Sequence, residues 1–255
     1  MHVKKQGIMH IQRHLIHTLL ILFLCAFQAQ SQETINAGVA ANYIQTFKEI
    51  SAVYEARTGV HVEPTFTSSG NLYSQIVNGA PYDIFLSADT LRPERLFREG
   101  LTEKPFVYAR GRVVLWSAKQ DFCAHGSWDA ALKTGAAGKI ALCNPETAPY
   151  GAAAKEAMQA AGIWTAMQAK LVIAQNVAQA FQYSVTHAVD AGFCAYSSVV
   201  NNASPKECWL EIPQVQPIVQ AAVLIKTKHS AQAAHFAQFL VSPEAEAIRK
   251  KYGYE

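Results

Sequence analysis

Serine, asparagine and glycine gathered where a helix begins are the residue types that hold anions through neutral donors. Four stretches of this 255-residue chain combine them: "GVAANY" (38–43), "TSSGN" (67–71), "NPETAPYGAAA" (144–154) and "AQNVAQAF" (174–181). Hydroxyl, amide and backbone N–H groups donate, and small residues let the backbone approach a ligand. A helix start adds unpaired N–H groups and about half a positive charge. None of the four stretches contains Lys or Arg, and Glu146 is their single charge. Taken one at a time, each reads as an ordinary helix cap. Their recurrence points to a cage that could hold a dianion without a countercharge.

Other chemistries lack their residues. The chain has no G-x-S-x-G, H-E-x-x-H, Walker A or G-x-G-x-x-G motif. His61, His125, His187, His229 and His235 are scattered, with no ligand spacing toward a carboxylate. Asp83 and Asp89 in "PYDIFLSAD" read as well as turn and cap carboxylates as they do as catalytic ones. A hydrolase using Ser69 would need a base, and none lies nearby in sequence. No catalytic residue and no cofactor is expected.

The elements that must position the four stretches alternate. Apolar runs at 34–40, 60–66, 82–88, 112–118, 140–143, 170–174, 191–196 and 220–226 read as strands. Between them, helical spacing is clear, as for Ile44, Phe47, Ile50, Val53 and Tyr54 ahead of Gly59. The rhythm predicts an α/β fold with mostly parallel sheet. Two such series suggest two lobes, 32–110 with 220–255 and 111–219, and two crossings, near 108–112 and 218–222. A single doubly wound sheet of about 220 residues would give the same pattern. In either arrangement, ligands sit beyond the carboxyl ends of strands, where these helix starts fall.

The first 31 residues read differently. Lys4, Lys5 and Arg13 precede an apolar run over 15–27, and "QAQSQ" offers Ala29 and Ser31 before a cleavage near Ser31. This is the pattern of an export signal, with a run shorter than the roughly 18–20 residues that span a bilayer. It predicts a periplasmic protein. Removing those three cations from 22 Lys and Arg leaves a count equal to the 19 Asp and Glu. A neutral mature chain gives no support for nucleic-acid binding. Cys123, Cys143, Cys194 and Cys208 remain. No C-x-x-C occurs, and two disulfides are possible in an exported protein. Cys123 and Cys208, in loop-like contexts, are the better candidates. Cys143 and Cys194 lie in apolar strands, as a bond or as buried thiols.

Together "GAPYDIFLSAD", "TFTSSGNLYSQI", "NPETAPYGAAAKEAM", "QNVAQAF" and the closing "KKYGYE" resemble the molybdate-binding periplasmic proteins of ABC importers, over about residues 34–252. The resemblance implies a two-lobed (type II) periplasmic binding protein with its ligand in the interlobe cleft. It implies a molybdate or tungstate dianion, so that molybdenum is bound only as the oxyanion. It implies a monomer that delivers this cargo to a membrane permease and, through it, to an ATPase. Carried over by position, the contacts are Asn42, with a backbone N–H from Ala41, then Ser69, Tyr150 and Val177. Many members have Ser where this chain has Asn42; a second branch uses Asn. The fifth contact is a Tyr hydroxyl in some members. Here the ungapped spacing puts Ala195 there, with Tyr196 pointing the other way along a strand. Receptors for sulfate, phosphate or another oxyanion remain the nearest alternative.

Overall fold

The computed structural model describes residues 34–135, 137–200, 207–226 and 231–255. The expected export signal over residues 1–31 lies outside them. Among the described residues, ten strands form two five-stranded sheets. The first holds β1 (Thr34–Ala40), β2 (His61–Thr67), β3 (Ile84–Leu86), β4 (Phe106–Gly111) and β10 (Ile218–Leu224), in the order β2-β1-β3-β10-β4. The second holds β5 (Val113–Ser117), β6 (Ile140–Cys143), β7 (Leu171–Ala174), β8 (Ala191–Ala195) and β9 (Cys208–Glu211), in the order β7-β6-β8-β5-β9. β1 is parallel to β2 and β3, and β6 to β7 and β8. One strand in each sheet, β10 or β5, runs against both its neighbours. The two-lobed α/β arrangement with mostly parallel sheets is therefore observed.

Helices cover the sheets because each has one apolar face. In α1 (Ile44–Thr58), Phe47, Ile50 and Tyr54 are buried, and Gly59 closes the helix at φ 71°. That left-handed position is where glycine costs least. α9 (Ala231–Leu240) and α10 (Pro243–Lys251) return to the first sheet, where Phe236, Leu240 and Ile248 join Ile35, Val39 and Phe47. The opposite face carries α2 (Ser69–Val77) and α3 (Leu91–Arg98), with Leu72, Ile76, Phe85 and Leu96 buried together. In the second sheet, Trp128 and Leu132 of α4 (Trp128–Lys133) and Met158 of α5 (Pro149–Ala160) meet Ile140, Leu142 and Phe193. Two short helices, α6 (Trp164–Met167) and α8 (Tyr196–Val199), flank α7 (Val177–Val185) in sequence. Each fully buried Leu, Ile or Phe contributes about 1.5–3 kcal/mol.

Arg112 alone separates β4 from β5, and residues 212–217 join β9 to β10. β4 and β9, absent from the sequence reading, each lie at one edge of their sheet, opposite β2 and β7. Tyr196 is not part of β8: it opens α8. Its ring packs on Trp209 at 5.1 Å and under the Arg112 guanidinium at 4.2 Å. Cys123 and Cys208 form a disulfide, whereas Cys143 and Cys194 are buried free thiols.

Candidate functional site

Four helix starts converge on one small, almost filled cavity. The turn Ala41–Tyr43 ahead of α1 supplies Ala41 and Asn42, and the start of α2 supplies Ser68 and Ser69. From the second sheet, α5 contributes Ala148, Pro149 and Tyr150, and α7 contributes Asn176 and Val177. Three of the starts are fixed by their own sequence. The Ser68 hydroxyl accepts from the Asn71 N–H, and Asn176 Oδ1 accepts from the Gln179 N–H at 3.0 Å. Pro149 sits in the first turn of α5, where its missing N–H costs nothing. First-turn N–H groups, such as those of Ser69, Tyr150 and Val177, have no partner within their own helix.

Five of the six expected residues, Ala41, Asn42, Ser69, Tyr150 and Val177, line this cavity together. Ala195 does not line it; it ends β8, fully buried and paired with Val113. Ala88, after β3, completes the wall. The Ala88 N–H donates to Ser69 Oγ at 2.9 Å. With its oxygen engaged, Ser69 has its O–H left to donate.

No lining residue is charged. The nearest carboxylate in sequence, Asp89, is taken up by the Ser87 hydroxyl, the Arg92 N–H and the Arg92 guanidinium. Histidine is absent from the lining as well.

Behind Asn42 lies a buried polar network absent from the sequence reading. Asn42 Nδ2 donates to Gln220 Oε1 at 2.8 Å and to the Tyr254 hydroxyl at 3.0 Å. Tyr108 donates to Gln220 Oε1 at 3.0 Å or to the Ser87 carbonyl at 3.1 Å. Gln220 Nε2 donates to the Tyr150 hydroxyl at 3.2 Å. The Tyr254 and Ser197 hydroxyls both reach the Asn42 carbonyl, at 2.7 and 2.9 Å. Burial pushes the Tyr108 and Tyr150 phenols well above their ordinary range and Tyr254 to about 12. All three therefore stay neutral near pH 7. One signal was legible: Gln220 is a lone amide in the apolar run "QAAVLIK".

Several of these bonds join the lobes. The Gly70 N–H donates to the Thr147 carbonyl at 2.8 Å, and the Arg92 guanidinium to the Glu146 carbonyl at 3.1 Å. A Cβ on Gly70 would meet the Thr147 Cα at 2.8 Å. Gly70 is thus small because the other lobe closes against it.

A two-lobed fold with an uncharged cavity at four helix starts, two from each lobe, is the architecture of a solute-binding protein. The chain belongs to the bacterial extracellular solute-binding protein family, which it matches over residues 35–255. It is 40% identical to the molybdate-binding protein ModA of Rhodobacter capsulatus over 241 residues, covering 92% of this chain and 93% of that protein. It superimposes on the periplasmic molybdate-binding protein of Azotobacter vinelandii with a TM-score of 0.81 and 33% identity, covering 87% of this chain and 98% of that one. The sulfate-binding protein SubI of Mycobacterium tuberculosis H37Rv shares the fold alone, with a TM-score of 0.75 at 16% identity, over 87% of this chain and 86% of that one.

Proposed function

We propose that this protein is an extracytoplasmic receptor that captures molybdate, and tungstate, and hands it to an ABC importer. The observation that carries the reading is the uncharged cage, lined by residues of both lobes. A fully ionised tetrahedral dianion accepts at every oxygen, so it needs no acceptor from the protein. Hydrogen phosphate carries a proton that wants an acceptor, and no carboxylate lines the cage. The relatives at 38–40% identity, both named for molybdate binding, support the same cargo.

The residues act as follows. Ser69 donates its O–H, Asn42 its side-chain amide, and Ala41, Ser69, Tyr150 and Val177 their backbone N–H groups. The helix starts add partial positive charge without a mobile cation. Small anions cannot reach donors on all sides at once, so cage size selects molybdate over sulfate. The lobes close about the Arg112 and 212–217 connections, and the closed form is what a membrane permease and its ATPase would engage. The receptor works as a monomer in the periplasm, exported by the signal over residues 1–31.

Isothermal calorimetry tests the cargo. Asn42→Ala or Ser69→Ala should weaken molybdate binding while the fold persists. Unchanged affinity in both variants would place the site elsewhere.

A further inference from the structure

Asn42 is 4% exposed and lines the cage, yet its Oδ1 has no hydrogen-bond partner. Both its N–H groups point into the network, to Gln220 and Tyr254. In this arrangement Asn42 has a lone pair to offer a ligand and no donor. That is the wrong polarity for an ion that can only accept. An unpaired buried polar atom is costly, and this one sits in a residue of the cage wall, where a ligand could complete it.

The network has a second solution with every heavy atom in place. A half-turn of a terminal amide exchanges its oxygen and nitrogen. Turn Asn42 alone, and its oxygen faces Gln220 Oε1 at the 2.8 Å now spanned by a hydrogen bond. Turn Gln220 as well, and the conflict disappears. Gln220 Nε2 then donates to Asn42 Oδ1 and to Tyr108, whose own proton goes to the Ser87 carbonyl. The Tyr254 hydroxyl donates to Asn42 Oδ1, and the Tyr150 hydroxyl to Gln220 Oε1. Ser197 keeps the Asn42 carbonyl. Every member is satisfied except the Asn42 N–H groups, which are released for a ligand.

We infer that Gln220, which is fully buried and outside the cage lining, is a positioning residue for the anion. It sets whether Asn42 presents an acceptor or a donor, and the two amides turn together when a fully ionised oxyanion enters. Tyr254, near the chain end, serves as the second partner that holds the turned Asn42. This rests on the receptor reading above.

The test is a double-mutant cycle read by calorimetry with molybdate. Gln220→Leu removes the amide that holds Asn42 in the donor orientation. In the Asn42 protein it should weaken binding about tenfold, as expected for one hydrogen bond of about 1.4 kcal/mol. In the Asn42→Ser background the hydroxyl rotates freely and needs no such partner. There Gln220→Leu should change affinity less than about twofold, because coupling vanishes when the partner is gone. Equal losses in both backgrounds would reveal a merely structural residue and overturn the inference, as would no loss in either. If thermal melting shows that Gln220→Leu does not fold, Tyr254→Phe runs the same cycle with the same criteria. Absence of heat with molybdate in the unsubstituted protein would overturn the receptor reading and this inference with it. Heat there with uncoupled variants would overturn this inference alone.

Discussion

Ser69 shows how much of the site is decided by single residues. Its oxygen is occupied by the Ala88 N–H, so its proton is committed outward. Ser69→Ala should lower molybdate affinity about ten- to hundredfold, the usual worth of about 1.5–3 kcal/mol for a hydrogen bond to a charged group. Thermal melting should move by no more than about 4 °C, as for a loss near 1 kcal/mol in a chain this long. The cage should also be indifferent to pH. The Tyr150 phenol in its wall and those of Tyr108 and Tyr254 behind it are pushed upward by burial, with Tyr254 at about 12, and no lining residue is acidic. Calorimetry between pH 6 and 9 should return one affinity, and a step within that window would mean that a titrating group had been missed. At this scale the sequence was informative, because a cap and its first-turn donors lie within a few residues. The partnership of Asn42 with Gln220 and Tyr254 was out of reach: they stand 178 and 212 positions from Asn42, and only the fold brings them to it.

Among elements, the meeting of the α2 start with the loop ahead of α5 controls closure. Gly70→Val would place carbon against the Thr147 backbone, within 2.8 Å of its Cα. The lobes could not then make the Gly70–Thr147 bond. Affinity should fall at least about tenfold, more than a surface valine would cost. Small-angle scattering with saturating molybdate should show the variant more open than the unsubstituted protein, and equal compaction would contradict this role for Gly70. The regular elements were legible from their periods, since central strands and amphipathic helices have one dominant environment. β4 and β9 were not. Buried and exposed residues mix without a regular alternation in "FVYARG", and no residue of "CWLE" is fully buried, so neither gives an apolar run. Tyr196 was expected to turn away by strand alternation. It is turned away because the chain enters α8 at that residue and its ring is held by Trp209 and Arg112.

Over the whole molecule, stability and binding should separate. The Cys123–Cys208 bond closes a separation of 85 residues and ties the 120–125 turn to β9. A loop of that size is worth about 4–5 kcal/mol in the chain-entropy account. Reduction should therefore lower the melting temperature while leaving molybdate affinity unchanged, because neither cysteine lines the cage. Alkali should act on stability through the buried tyrosines. Tyr43, Tyr108, Tyr150 and Tyr254 are all raised by burial above the ordinary value near 10. Above that pH the unfolded chain loses phenolic protons that the folded chain keeps, so stability falls as pH rises beyond about 10 and is insensitive to these groups below it. Denaturant melts at pH 8, 10 and 11 would reveal the slope, and a flat profile would contradict the burial of these four rings.

The central claim is that a cage without charge captures a fully ionised oxyanion and chooses it by size. Isothermal calorimetry of the mature chain at micromolar concentration, with molybdate, tungstate, sulfate and phosphate in turn, tests it most directly. The account predicts one-to-one heat with molybdate and tungstate, and much weaker binding or none with sulfate and phosphate. No heat with molybdate, or tighter binding of sulfate or phosphate, would contradict it.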